Sequence, residues 1–197
     1  MSKETPGLKD LPECDIRLTE DFLDPREAWD IYHTLLEETP WRQDNVKVFG
    51  KVYAQPRLTA LYDIHGKSYT YSGLTLNPHP FTPLLDNLRK RIAAASGAEF
   101  STCLLNLYRD GNDSNGWHAD NEAALGTNPV IASLSLGATR QFKLKHREDK
   151  SLRTSVPLTH GSLLLMQGET QHRWLHQIPK TRKAVDPRIN LTFRRLY

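Results

Sequence analysis

The chain has 197 residues, 38% hydrophobic and 25% charged, with a formal net charge of +3. That length suits one domain with a sizeable core rather than two, and the composition excludes disordered and fibrous classes. No apolar run approaches the roughly 20 residues of a membrane span. Met1–Gly7 lacks the apolar stretch of a signal peptide. The two cysteines, Cys14 and Cys103, make neither a disulfide scaffold nor a metal knuckle.

Taken in chain order, residues 1–15 read as a flexible tail and 16–197 as one domain. Asp24-Pro25 caps a predicted helix over Arg26–Glu38, with Ala28, Ile31, Tyr32, Leu35 and Leu36 on one face. A hairpin is predicted over Val46–Tyr53 with Phe49-Gly50 at its tip, followed by a short β-rich run at Ser68–Tyr71. A second helix runs from about Pro83 to Ala95, on a stripe of Leu84, Leu85, Leu88, Arg91 and Ile92, with Gly97 as its stop. Further strands are expected at Thr102–Tyr108, Val130–Leu136, Gln141–Lys145, Ser162–Met166, His172–His176 and Arg188–Phe193, separated by turn signals such as Asp110-Gly111 and His160-Gly161. Many short strands at near-regular spacing indicate a sandwich or jelly roll, mainly β with two flanking helices on one outer face.

Two stretches carry chemistry. In His118-Ala119-Asp120 the residues two apart share one side of an extended backbone, roughly 6–7 Å apart, so imidazole and carboxylate can converge on one ion. One more histidine completes the two-histidine, one-carboxylate facial set that leaves open positions on non-haem Fe(II). His160, His172 and His176 are the downstream candidates. Alternation from 172 to 176 puts His172, Trp174 and His176 on one face, and chemistry alone does not choose between the histidines. A surface hydrogen-bonded pair is the bland alternative for His118 and Asp120.

Arg188-Ile189-Asn190-Leu191-Thr192-Phe193-Arg194 alternates throughout, with two arginines on the polar face. They stand six positions apart, roughly 20 Å along a strand, and the planar guanidinium forks suit the two ends of a small dicarboxylate. The alternative is an edge strand with a solvated face. Asn106 and Tyr108 add same-face polar groups on the strand before His118. The basic residues Lys180, Arg182, Lys183 and Arg195 crowd the same end of the chain; a solvated basic edge is their ordinary explanation.

In order, Asn106-x-Tyr108, His118-x-Asp120, His176 with Ile178-Pro179, and Arg188-x-Asn190-x-Thr192-x-Arg194 resemble the signature of the AlkB family of nucleic-acid demethylases. The resemblance covers about residues 45–197. It implies a double-stranded β-helix (jelly roll, cupin-like), with His118, Asp120 and His176, not His172, as ligands of Fe(II). By the same likeness, Arg194 would hold the near carboxylate of 2-oxoglutarate. Arg188, Asn190 and Tyr108 would hold the distal one, with Asn106 and Thr192 beside them, and O2 would be the second cosubstrate.

Within that family the chain is most similar to the duplex-acting animal DNA repair branch. Phe49 matches its finger hairpin, with Arg57 following. Tyr69-Thr70-Tyr71-Ser72 resembles its lesion-pocket strand, with Tyr71 where that branch has phenylalanine; Asp120-Asn121-Glu122 resembles its metal-to-lesion stretch, which implies that Glu122 would face the base. The implied substrate-recognition hairpins span about 45–75. The implied activity is oxidative demethylation of N1-methyladenine and N3-methylcytosine in DNA, releasing formaldehyde and succinate. Demethylation of RNA, hydroxylation of a protein or small molecule, and a catalytically silent binding module are the competing readings. The expected setting is a reducing one, the cytoplasm of a bacterium or the nucleus of a eukaryote, for an unsecreted monomer needing no membrane and no obligate protein partner.

Overall fold

A computed structural model describes residue 8 and residues 10–48, 51–71 and 74–197. In chain order its elements are β1 (Asp15–Thr19), α1 (Pro25–Glu38), β2 (Asn45–Val48), β3 (Lys51–Ala54), β4 (Leu58–Asp63), β5 (Tyr69–Tyr71), β6 (Leu74–Leu76) and α2 (Pro83–Ser96). Then follow β7 (Thr102–Tyr108), β8 (Asn115–His118), a 3-10 turn (Ala123–Leu125), β9 (Ile131–Gly137), β10 (Arg140–His146) and β11 (Arg153–Leu158). The chain closes with β12 (Leu163–Gln167), the short helix α3 (Thr170–Arg173), β13 (Trp174–Ile178) and β14 (Arg188–Arg194).

Two antiparallel sheets make the frame. One runs β1-β12-β9-β14-β7-β4 and the other β11-β10-β13-β8. They face each other across a core in which Leu104, Ile131, Leu164 and Met166 of the first meet Phe142, Leu144, Val156 and Trp174 of the second. The opposite face of the six-stranded sheet buries Leu105, Leu134, Leu191 and Phe193 against Ile31 and Leu35 of α1 and Leu85, Leu88 and Ile92 of α2. Each such side chain contributes about 1.5–3 kcal/mol when fully removed from water. This is the jelly roll with helices on one outer face that the strand spacing indicates.

Both helices form for the reasons visible in sequence. The Asp24 carboxylate accepts from the backbone N–H groups of Arg26 and Glu27, and Thr82 caps α2 by accepting from Leu85 N. Gly97 ends α2 at φ 71, a left-handed conformation that glycine adopts without strain.

Two expectations change. The stretch 172–176 is not one strand: α3 takes Thr170–Arg173 and the strand begins at Trp174, so His172 is exposed on a helical turn. Five strands, β1, β4, β6, β8 and β11, had no separate prediction. Ahead of β1, Leu8 is buried in the inter-sheet core, and the carbonyl of Pro12 accepts from the buried Trp174 Nε1 at 3.0 Å.

Candidate metal and cosubstrate site

β14 occupies the middle of the larger sheet, paired with β9 on one side and β7 on the other. Its alternation decides the site. Ile189, Leu191 and Phe193 point to the helices, which leaves Arg188, Asn190, Thr192 and Arg194 facing a cavity of about 510 Å³ between the sheets. All four are buried, Arg188 to 1% exposure and Arg194 to 5%. The edge-strand alternative fails on this position in the sheet: these are interior guanidinium groups.

On the opposite sheet, His118 ends β8 directly across from His176 on β13. Asp120 follows just beyond the strand. One ligand atom from each of His118, Asp120 and His176 lies within 4.8 Å of the others. His118 Nδ1 is 2.8 Å from the Gly116 carbonyl oxygen. If that nitrogen carries the proton, Nε2 keeps its lone pair; Asn115 Nδ2 stands 3.2 Å from it. The His176 ring stacks on Phe142 with centroids 5.1 Å apart. Of the alternative third ligands, His172 is exposed, and His160 stacks on Trp29 at 4.2 Å on the helical side.

The local charges suit a cation. Burial opposes the Asp120 carboxylate, but Arg194, His176 and His118 outweigh it and hold its pKa down at about 2. Burial, and then His118, push His176 down to about 3 despite the pull of Asp120. At neutral pH the site therefore offers a carboxylate and a neutral imidazole, the forms that bind metal.

Hydrogen bonding sorts the polar face of β14 into two kinds of residue. Asn190 donates to Ser133 Oγ at 2.7 Å and to the Leu134 carbonyl at 3.2 Å, and accepts from Thr192 Oγ1 at 3.0 Å. Asn190 and Thr192 thus form a ladder along the sheet rather than offering free groups. The arginines differ. Arg188 donates through Nη2 to Ser135 Oγ at 2.9 Å, and Arg194 through Nη2 to Asp120 Oδ1 at 2.9 Å. In both, Nε and Nη1 are buried without a hydrogen-bond partner among the described residues. Leaving such donors unsatisfied is costly, and a dicarboxylate between them would complete both forks. Burial lowers Arg188 to about 10, which leaves it charged at neutral pH. The residues present thus fit both Fe(II) and 2-oxoglutarate.

Tyr108 lies between two guanidinium groups, with Arg188 Cζ 5.3 Å and Arg140 Cζ 5.7 Å from its ring centroid. Arg140 is buried and donates to the carbonyls of Asp110, Asp113 and Pro179 at 3.0, 2.9 and 2.7 Å, joining the β7–β8 loop to the segment after β13. Gly111 permits that approach, since a Cβ there would lie 2.3 Å from the Thr181 carbonyl oxygen.

The expected substrate residues fall in three places. Arg57 is buried and donates to Asn106 Oδ1 at 2.8 Å and to the Ser114 carbonyl at 3.2 Å; it braces the wall through Asn106, which lines the cavity. Tyr69 is buried beneath Arg194, whose Cζ is 5.4 Å from the ring centroid, and burial raises its phenol above the usual range. Glu122 lines the cavity with Oε2 buried and, among the described residues, unpartnered. Phe49 and Ser72, and the side chain of Tyr71, lie outside the described residues. Among the flanking basic residues, Lys180, Arg182 and Lys183 are exposed, while Arg195 pairs with Glu99 at 2.7 Å.

Sequence reasoning missed Ser133 and Ser135, Arg140 and Gln171. The serines carried a signal, a polar i, i+2 pair inside the apolar strand Ile131–Gly137, opposite Thr192 and Asn190 in the register. Gln171 carried none.

The family model described as the 2OG-Fe(II) oxygenase superfamily matches residues 15–194, and the chain belongs to that superfamily. It is 43% identical over 185 residues to the Bos taurus protein named alpha-ketoglutarate-dependent dioxygenase alkB homolog 3, a match covering 89% of this chain and 64% of that protein. It is 40% identical over 180 residues to the Homo sapiens protein named DNA oxidative demethylase ALKBH2, covering 86% of this chain and 69% of that one. The chain thus spans about two thirds of the length of these relatives, and identity alone hardly separates the two. Among solved structures, one titled the structure of OsALKBH1 superposes with a TM-score of 0.64 at 18% identity, covering 91% of this chain and 97% of that one; that likeness concerns the fold.

Proposed function

We propose that the protein is an Fe(II)- and 2-oxoglutarate-dependent demethylase of alkylated bases in DNA. The observation that carries the substrate reading is Glu122, a carboxylate on the wall of the metal cavity with one oxygen buried and, among the described residues, unpaired. N1-methyladenine and N3-methylcytosine are cationic and keep an exocyclic amino group. A half-buried carboxylate with one oxygen removed from solvent favours both features. The names borne by the relatives at about 40% identity support the same reading.

In this reading His118, Asp120 and His176 hold Fe(II). Arg194 and Arg188 hold the two ends of 2-oxoglutarate, with Tyr108 and the Asn106 amide along its length. Asn190 and Thr192 keep the strand face rigid. Bound Fe(II), with 2-oxoglutarate and O2, supplies the oxidation of the N-methyl group, and the hydroxylated methyl leaves as formaldehyde. The protein excludes water from that chemistry and fixes the base. A methyl group inside a stacked duplex is out of reach, so the base is flipped into the cavity. Glu122 accepts from its amino group. Val46 of β2 lines the cavity, Val52 and Tyr53 of β3 are exposed, and in this reading Phe49 fills the vacated place in the stack.

The test is product analysis by mass on DNA and RNA oligonucleotides carrying a single N1-methyladenine or N3-methylcytosine, with Fe(II) and 2-oxoglutarate supplied. Loss of one methyl group from DNA substrates supports the proposal. Turnover of RNA alone moves the activity to RNA, and intact lesions in both overturn it.

A further inference from the structure

Asp120 lies past the end of β8, where no sheet partner fixes its backbone. Its N–H donates to Gln171 Oε1 at 2.9 Å. Gln171 is fully buried on α3, at 0% exposure, and its own Nε2 donates to Met166 Sδ at 3.4 Å on β12. The backbone carbonyl of Gln171 accepts from Arg147 Nη2 at 3.4 Å. Five residues on, the same stretch supplies His176. One short segment thus presents a metal ligand directly and grips the main chain of another.

We propose that Gln171 is a positioning residue of the metal centre: its side-chain oxygen sets the backbone, and through it the carboxylate, of Asp120. The amide is anchored at both ends, so it transmits the placement of β12 and α3 to a residue that its own strand leaves unsupported. Metal ligands are commonly oriented by such partners, whose loss typically costs roughly 10- to 100-fold in affinity or activity. The bland alternative is that Gln171 only fills space. The two differ in sign for a pair of substitutions. A packing role favours Gln171→Met, which is apolar and similar in length, over Gln171→Glu, which buries a carboxyl. A positioning role favours Gln171→Glu, which keeps an oxygen acceptor for the Asp120 N–H.

This inference rests on His118, Asp120 and His176 being the ligands. The experiment titrates the full-length protein with Co(II), following its ligand-field spectrum, in wild type, both Gln171 variants and His176→Ala. The expected result is a weakening of about tenfold or more in Gln171→Met, at the lower end of the range for outer-shell partners, with a changed spectrum. Gln171→Glu is expected to bind more tightly than Gln171→Met. Wild-type affinity and spectrum in Gln171→Met, or the reverse order of the two variants, overturns the proposal. His176→Ala separates the underlying reading: if it binds Co(II) as wild type does, the ligand set itself is wrong. Hydrogen exchange of the Asp120 amide in metal-free wild type needs no variant to fold. Slow exchange is expected, and exchange at the rate of an open loop overturns the proposal.

Discussion

Arg194 and Asp120, 74 residues apart in sequence, form a buried ion pair: Nη2 donates to Oδ1 at 2.9 Å, with both side chains about 95% removed from solvent. The pair joins the centre of the larger sheet to the loop that follows the metal strand. It also splits the guanidinium between two duties, since Nη2 serves the metal-binding carboxylate while Nε and Nη1 remain for an anion. In the proposed assignment, cosubstrate and metal binding are coupled through this one side chain.

Arg194→Ala should disturb both. Removing one partner of a buried pair typically costs about 3–5 kcal/mol because the other charge is left uncompensated, so the metal-free variant should melt well below wild type. Its 2-oxoglutarate affinity should fall about tenfold or more, given roughly 1.5–3 kcal/mol for a hydrogen bond to a charged group. Calorimetric titration of 2-oxoglutarate into the Mn(II)-loaded protein checks the second effect; unchanged binding contradicts the anion cavity.

The ligand set predicts a clear pattern among histidine variants. His118→Ala, Asp120→Ala and His176→Ala should each lose stoichiometric Fe(II), measured by anaerobic titration. His172→Ala should retain it, because that side chain is exposed on α3. Loss in His172→Ala with retention in His176→Ala would reverse the assignment.

Metal-free stability should depend on pH through His176. Its folded pKa lies near 3 against an ordinary 6.5, so below pH 6.5 the unfolded chain binds a proton that the folded chain refuses. Its contribution is complete above about pH 6.5 and is lost progressively as pH falls toward 3. Asp120, held at about 2 against 3.8, adds its own loss only below about pH 4. Urea unfolding of the metal-free protein from pH 8 to 5 should show the first decline, and His176→Gln should flatten it. An equal decline in that variant would place the proton elsewhere.

Much of this was legible in the sequence because it depends on period and order. The alternation of Arg188–Arg194 separates cavity from core whichever sheet receives it, and the capping residues place both long helices to within a residue or two. What stayed hidden depends on distant partners. Nothing local to Asn190 shows that its amide is satisfied by Ser133 and Leu134 across the sheet. Nor does anything near Arg57 show that it braces Asn106, 49 residues away. His172 misled because an alternating pattern is also compatible with a short helical turn before a strand. Gln171 acts on a backbone N–H, which leaves no trace in side-chain chemistry.

Phe49→Ala should separate duplex from single-stranded substrate. Flipping a base leaves a gap whose cost, a few kcal/mol, an apolar wedge partly offsets; a single strand has no such gap. Activity on methylated duplex DNA should fall much more than on the same lesion in single-stranded DNA, with 2-oxoglutarate binding unchanged. Equal losses on both would point to a packing role for Phe49.

The central claim is that the site of half-buried His118 with buried Asp120 and His176, beside its two arginines, oxidises a methyl group on a DNA base. Formaldehyde and succinate measured together, on an oligonucleotide carrying one N1-methyladenine and on its unmethylated twin, test this most directly. The account predicts equal amounts of both products from the methylated strand, formaldehyde from the methylated strand alone, and neither product in Asp120→Ala. Succinate without formaldehyde from the methylated strand, or formaldehyde undiminished in Asp120→Ala, would contradict it.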